Sequence, residues 1–259
     1  MKRYIALGDS FTEGLWDERR DGSLRGWADR LADALARLQA PEPLEYANLA
    51  VRGKLASQVL ADQVPVAEKF LEPGDVVTFH AGANDALRPN VDFAEVERCY
   101  RESVERLAKT GATVLLFSAA GRIGAKGKMS EGLTQRLNRF NEIINRAAHD
   151  FGATVIPTAY VPALHDYRFW DSDRLHLTPE GHRRVAEAAL ETLGLPHDAT
   201  WREPLPPARP TPVVVKLASD IWWWVSFAIP WIYRRLRGIS SGDNRDPKHP
   251  APLIWSPES

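Results

Sequence analysis

The chain has a single cysteine, Cys99, in 259 residues, which excludes an internal disulfide framework and any cysteine-rich metal site. It lacks an excess of either charge. With 33 Lys and Arg against 34 Asp and Glu, there is no electrostatic case for a nucleic-acid partner. A long uncharged run is missing too. The tryptophan-rich stretch IWWWVSFAIPWIY holds 13 uncharged residues, short of the roughly 20 that span a bilayer. Lys216 and Asp220 interrupt any longer one. At the start, basic Lys2 and Arg3 are followed by only four apolar residues, 4–7, before Gly-Asp-Ser. That is too short for the apolar core of a secretion signal, so a cytoplasmic address is expected. His80, His176 and His182 show no metal-ligand spacing with nearby carboxylates, so no metal site is expected.

What is present is the composition of an ordinary globular protein, 44% apolar and 26% charged. Up to about residue 195, strand-length apolar runs alternate with segments of helical period. The strand runs are 3–7, 44–49, 75–80, 113–118 and 154–157; helices are expected over 27–38, 56–70, 93–109, 135–150 and 179–193. In the first helix, apolar residues at 27, 28, 31, 35 and 38 share one face. Alternation of this kind implies an α/β fold with parallel strands and helices on both faces. In such sheets ligands bind beyond the carboxyl ends of the strands.

The chemistry-bearing residues fall at those ends. Gly8-Asp9-Ser10 follows the first expected strand, Gly53 lies in the turn after the second, and Gly82-Ala83-Asn84-Asp85 follows the third. After the fifth, Asp173 precedes His176 by three residues. A serine hydroxyl is a poor nucleophile without a base. Histidine suits that task, and a carboxylate on its other nitrogen fixes the tautomer and stabilises the imidazolium. Oxyanion charge needs donors, which the N–H groups of Ser10 and Gly53 and the amide of Asn84 can supply. Each signal alone has a plainer reading as a turn or helix cap; their order and placement favour acyl transfer. Asp9 and Asp85 are expected to hydrogen-bond the loops rather than take part in chemistry. His182 is expected to be structural, His80 a satisfied core histidine, and Cys99 a small buried group.

These four blocks resemble those of the SGNH (GDSL-type) hydrolase family, with Ser10, Gly53, Asn84 and His176 matching in order the residues that name it. The resemblance covers roughly residues 3–193. It implies a flavodoxin-like three-layer α/β/α sandwich with a five-stranded parallel sheet, and esterase or lipase activity without metal or cofactor. Phe11 stands where the family often has leucine, with little consequence expected.

A division into a hydrolase domain at 1–195, a proline-rich connector at 196–212 and a tryptophan-rich extension at 213–259 follows from composition. Six of nine tryptophans lie at or after Trp201, and residues 201–259 carry 8 Lys/Arg against 5 Asp/Glu. Pro230 can open a second short helix with Arg234, Arg235 and Arg237 after it. Three roles stay open for residues 213–238: docking on the body or in a homodimer, contact with a membrane surface, or a spanning helix. The expected function is therefore a serine esterase for a small-molecule ester, with short acyl or acetyl groups. The alternatives are a membrane-surface lysophospholipase or thioesterase recruited by the tail, and a non-catalytic binding module.

Overall fold

The structure, a computed structural model, describes residues 1–119, 128–208 and 210–258; the side chains of 128–130 and 235–236, Arg235 among them, lie outside that description. Its centre is a six-stranded sheet built from β1 (Arg3–Gly8), β2 (Glu45–Asn48), β3 (Val76–His80), β4 (Thr113–Phe117), β5 (Thr154–Ile156) and β6 (His249–Ile254). The strand order is β5-β4-β3-β1-β2-β6. The five expected strands pair in parallel. The expectation of five strands is corrected by β6, which pairs antiparallel with β2 and makes the sheet mixed. Its sequence, HPAPLI, carries two prolines that argue against a strand. At a sheet edge the missing N–H groups cost nothing, because no further strand has to be paired.

Among the described residues there are ten α-helices: α1 (Ser10–Glu13), α2 (Gly26–Gln39), α3 (Ala56–Asp62), α4 (Val64–Glu68), α5 (Ala83–Ala86), α6 (Phe93–Lys109), α7 (Lys128–Phe151), α8 (Pro179–Thr192), α9 (Val213–Trp223) and α10 (Ile229–Leu236). Alternate residues of β1 feed two cores. Ile5 and Leu7 join Val59, Val104 and Phe140 on the α3, α6 and α7 side. Tyr4 and Ala6 join Trp27, Leu31 and Val185 on the α2 and α8 side. A strand buried on both faces is the expected outcome for a parallel sheet covered by helices. Leu38 departs from its expected face and is 46% exposed; Ala32 takes the buried position instead. The helix expected over 56–70 is two helices, because Pro65 opens α4 and cannot donate to the preceding turn.

From β1 the chain passes to β2 on one side, then crosses back to β3 on the other. The connections that leave the paired carboxyl ends of β1 and β3 therefore run in opposite directions, toward β2 and toward β4, and such a switch point leaves a crevice where the loops can meet a ligand.

The C-terminal stretch divides in two. Residues 249–254 are an edge strand, and Trp255 stacks its indole edge-on to Tyr46 at 4.8 Å between ring centres. Its Nε1 donates to Asp33 at 2.9 Å. By contrast, α9 continues through a π-helical stretch, Trp224–Ala228, into α10. Pro230 does not start a separate helix; it is the second residue after the π stretch. The missing N–H and the ring's clash with the carbonyl four residues back account for the local widening.

Candidate active site

The residues picked out after four strands converge. Asp9 caps α1 by accepting from the N–H of Phe11 at 3.1 Å, and so sets Ser10 at the first position of that helix. Gly8 allows this turn, since a Cβ there would lie 2.5 Å from the His80 carbonyl oxygen. Gln63 clamps the same residue: its Oε1 accepts from Gly8 N and its Nε2 donates to Gly8 O, both at 2.8 Å. Ser10 is 9% exposed, and its Oγ lies 2.8 Å from His176 Nε2.

The imidazole's other nitrogen, Nδ1, is 2.6 Å from Asp173 Oδ2. The Asp173 carboxylate also accepts from the N–H groups of Leu175 at 2.9 Å and His176 at 3.0 Å, and from Trp16 Nε1 at 2.7 Å. Burial pushes this carboxyl up, but the hydrogen bonds and charge of His176 outweigh it and hold the group down at about 2. The loop is thus built to keep Asp173 ionised and His176 in one orientation. A hydrogen-bonded chain from hydroxyl to imidazole to carboxylate can move a proton off the serine as it attacks a carbonyl.

The candidate oxyanion donors stand on the other side. Among the described residues, the N–H groups of Ser10 and Gly53 donate to no backbone acceptor. Gly53 has φ of +77°, a conformation that glycine takes without strain. Asn84 Nδ2 donates to Asp9 Oδ2 and to the Lys54 carbonyl, each at 3.0 Å. Both partners engage that amide, so an oxyanion has to take it from the Lys54 carbonyl. Asp85 accepts from Ala56 N at 3.0 Å and so braces a loop, as Asp9 does. Burial raises the Asp9 carboxyl to about 7, against the N–H of Phe11 and the charge of His176.

His182 is buried with backbone partners on both nitrogens. Nδ1 accepts from Trp27 N at 3.2 Å, and Nε2 donates to the Leu15 carbonyl at 2.9 Å. Burial depresses it to about 4, and a neutral structural ring results. His80 is buried as well and lowered to about 4 by desolvation, but it is not fully satisfied. Its Nδ1 has no hydrogen-bond partner among the described residues and lies 3.9 Å from Asp9 Oδ1. The expectation of a satisfied histidine is corrected there: the ring lies tilted against Phe11, 4.8 Å between centres. Cys99 is buried, and its thiol is pushed up to about 11 by desolvation, an inert group. Among the described residues, no group of three or more His, Cys, Asp and Glu could hold a metal ion.

Several supporting residues escaped the sequence. Trp16 and Gln63 reach the site from the body, and Glu13 holds Arg52 by a forked ion pair beside Gly53. The tail contributes as well. Trp223 Nε1 donates to the Asp173 carbonyl at 2.7 Å, Asp220 pairs with Arg174 at 2.6 Å, and a Cβ on Gly53 would collide with Ser240 Oγ. Their signal in the sequence was only the clustering of tryptophans.

A family model described as the GDSL-like Lipase/Acylhydrolase family matches residues 6–184. No curated protein matches the chain. Solved structures do. TesA is 20% identical, with TM-score 0.58, over 74% of this chain and 98% of that one. A psychrotrophic esterase, EstA, from Pseudoalteromonas sp. is 16% identical, with TM-score 0.57, over 75% and 97%. An acetylxylan esterase, Axe2, from Geobacillus stearothermophilus is 16% identical, with TM-score 0.60, over 76% and 97%. At such identities the likeness is one of fold.

Proposed function

The chain belongs to the GDSL-like lipase/acylhydrolase family and acts on ester bonds, and from that premise we propose that it cleaves short-acyl esters through an acyl-enzyme on Ser10. The observation that carries this reading is the unbroken run from Ser10 Oγ to His176 Nε2 at 2.8 Å and from Nδ1 to Asp173 at 2.6 Å. Ser10 Oγ attacks the ester carbonyl while His176 Nε2 takes its proton. Asp173 holds the Nδ1–H and stabilises the imidazolium. The oxyanion accepts from the N–H groups of Ser10 and Gly53 and from the Asn84 amide, which leaves the Lys54 carbonyl to do so. As the C–O bond breaks, His176 returns the proton to the departing alcohol. Water then attacks the acyl-enzyme with His176 again as base, releasing the acid and restoring Ser10.

Crowding beside Gly53 supports a small acyl group. Ser240 and Ser241 close over it, and Gly242 sits so near the Arg52 carbonyl that no side chain fits there. In the test, Ser10→Ala lowers kcat/KM for p-nitrophenyl acetate by roughly 10³-fold or more, with an unchanged circular dichroism spectrum. Wild-type turnover in that variant, or no labelling of the native protein by a serine-directed phosphonate, ends the proposal. A series of p-nitrophenyl esters from acetyl to palmitoyl is expected to peak at the short end. A palmitoyl optimum favours the second reading, a lysophospholipase or thioesterase, for which the exposed apolar side chains between 213 and 233 speak.

A further inference from the structure

A helix on a water-facing surface turns its charges outward and its apolar stripe inward. The α9–α10 helix does the reverse. Between residues 213 and 233 its only charged side chains are Lys216 and Asp220, and Asp220 faces the body, paired with Arg174 at 2.6 Å. Trp223 likewise turns inward, bonding the Asp173 carbonyl and lying under the Arg174 guanidinium, 5.1 Å from its ring centre. Phe227 meets Trp16 edge-on at 6.2 Å. Outward stand Leu217, Ile221, Val225 and Ile229, between 55% and 61% exposed. Trp222, Trp224 and Tyr233 are exposed beside them.

We propose that this helix lies in the headgroup region of a bilayer containing anionic lipid, apolar side toward the acyl chains, and holds the Ser10 crevice at that surface. Tryptophan and tyrosine favour that depth, and an apolar face bounded by basic residues is the composition of an interfacial helix. Lys216 stands toward one end and Arg234 and Arg237 at the other, with Arg237 over the Tyr233 ring at 4.6 Å. They complement anionic headgroups. An antiparallel twofold pairing with a second copy of the chain would instead set Lys216 against Arg234 and Arg237. Over Val213–Arg234, 22 residues, the helix is long and apolar enough to cross a membrane. Its middle, however, is bonded to the loop of Asp173 and Arg174, so crossing would tear those contacts from the body. An in-plane position keeps them.

The substrate that follows is an ester whose alcohol is held by the bilayer and whose acyl group enters the crevice. That clause rests on the esterase reading; the surface contact does not. The experiment is sedimentation of the full chain with vesicles of phosphatidylcholine and phosphatidylglycerol, and with phosphatidylcholine alone, using wild type, Ser10→Ala, and a triple variant Ile221→Glu, Val225→Glu, Ile229→Glu. Wild type and Ser10→Ala are expected to sediment alike, more strongly with the anionic vesicles. The triple variant is expected to bind more than about tenfold less while hydrolysing p-nitrophenyl acetate at the wild-type rate, which also shows that it is folded. Wild type remaining in solution with both vesicles overturns the proposal, as does equal binding by the triple variant. A vesicle-free dimer that the triple variant dissociates assigns the face to a second copy and overturns it too. If the triple variant does not fold, wild-type tryptophan fluorescence decides: quenching by brominated-acyl lipid supports the proposal, and unchanged emission in its presence overturns it. Loss of ester hydrolysis in wild type with vesicle binding intact would fault the esterase reading alone.

Discussion

Two histidines six residues apart sit in opposite surroundings. The loop of His176 faces the crevice, and the first turn of α8, with His182, faces the core. His176 has a hydroxyl on one nitrogen and a carboxylate on the other; His182 has a backbone carbonyl and a backbone N–H. A ring between a serine and an aspartate can take a proton and be stabilised once charged. The second ring, buried between backbone groups, is held neutral by desolvation. Spacing in the chain does not separate these roles. The partners on each nitrogen do.

Substitution to alanine at each position is the sharpest way to break the contrast. His176→Ala is expected to lower kcat/KM for p-nitrophenyl acetate by roughly 10³-fold or more and to leave the denaturation midpoint nearly unchanged. His182→Ala is expected to keep kcat within a few-fold. It leaves the Trp27 N–H and the Leu15 carbonyl unpaired, for a stability loss of about 3 kcal/mol. Activity lost from His182→Ala in a protein of wild-type stability would reverse the assignment of base and prop.

Acid titration sharpens the same contrast. His182 is depressed from an ordinary value near 6.5 to about 4, so the unfolded chain binds a proton that the folded one refuses. Its stabilising contribution is complete above pH 6.5 and is lost as the pH falls to 4, amounting to about 3 kcal/mol. His80 acts in the same direction. Asp9, raised to about 7, acts in the opposite one: its contribution is complete below about 3.8 and lost as pH rises through 7. Those two are common to wild type and His182→Ala. The difference in unfolding free energy between the proteins, measured in urea at pH 7 and pH 4, therefore isolates His182. An identical acid slope in both would show that burial does not depress the ring, which then titrates alike in the folded and unfolded chains.

The strands and the placement of Ser10, Gly53, Asn84, Asp173 and His176 were legible because each depends on local pattern: apolar runs, turn residues and a three-residue carboxylate-to-histidine spacing. What could not be read depends on partners distant in the chain. Strand β6 looks like a proline-rich tail until β2 supplies its ladder. Gln63 looks like one polar residue in a helix until its amide meets Gly8. His80 reads as an ordinary core histidine because nothing local reveals that Nδ1 is left over. The inverted polarity of α9–α10 emerges only once the body shows which side is inward.

Trp16 gives the smallest effect and the finest test of how the loop works. Its indole donates to the Asp173 oxygen that also faces His176, and its backbone is held at φ of +69°, a region costly for a bulky residue. Arg174, next to Asp173, is held at +61° and tied to α9 through Asp220. Both strained positions converge on one carboxylate, which places Trp16 as a positioning residue for Asp173. Trp16→Phe keeps the ring against Phe227 and removes one donor, worth about 1 kcal/mol, so kcat should fall roughly fivefold with KM unchanged. The missing donor leaves the carboxylate more basic, which favours the imidazolium more strongly. The acidic limb of the kcat/KM–pH profile is therefore expected to move to higher pH. A purely packing role for the indole predicts no movement of that limb. An unshifted profile in Trp16→Phe, with kcat unchanged, would remove Trp16 from the site and leave Asp173 held by its own loop alone.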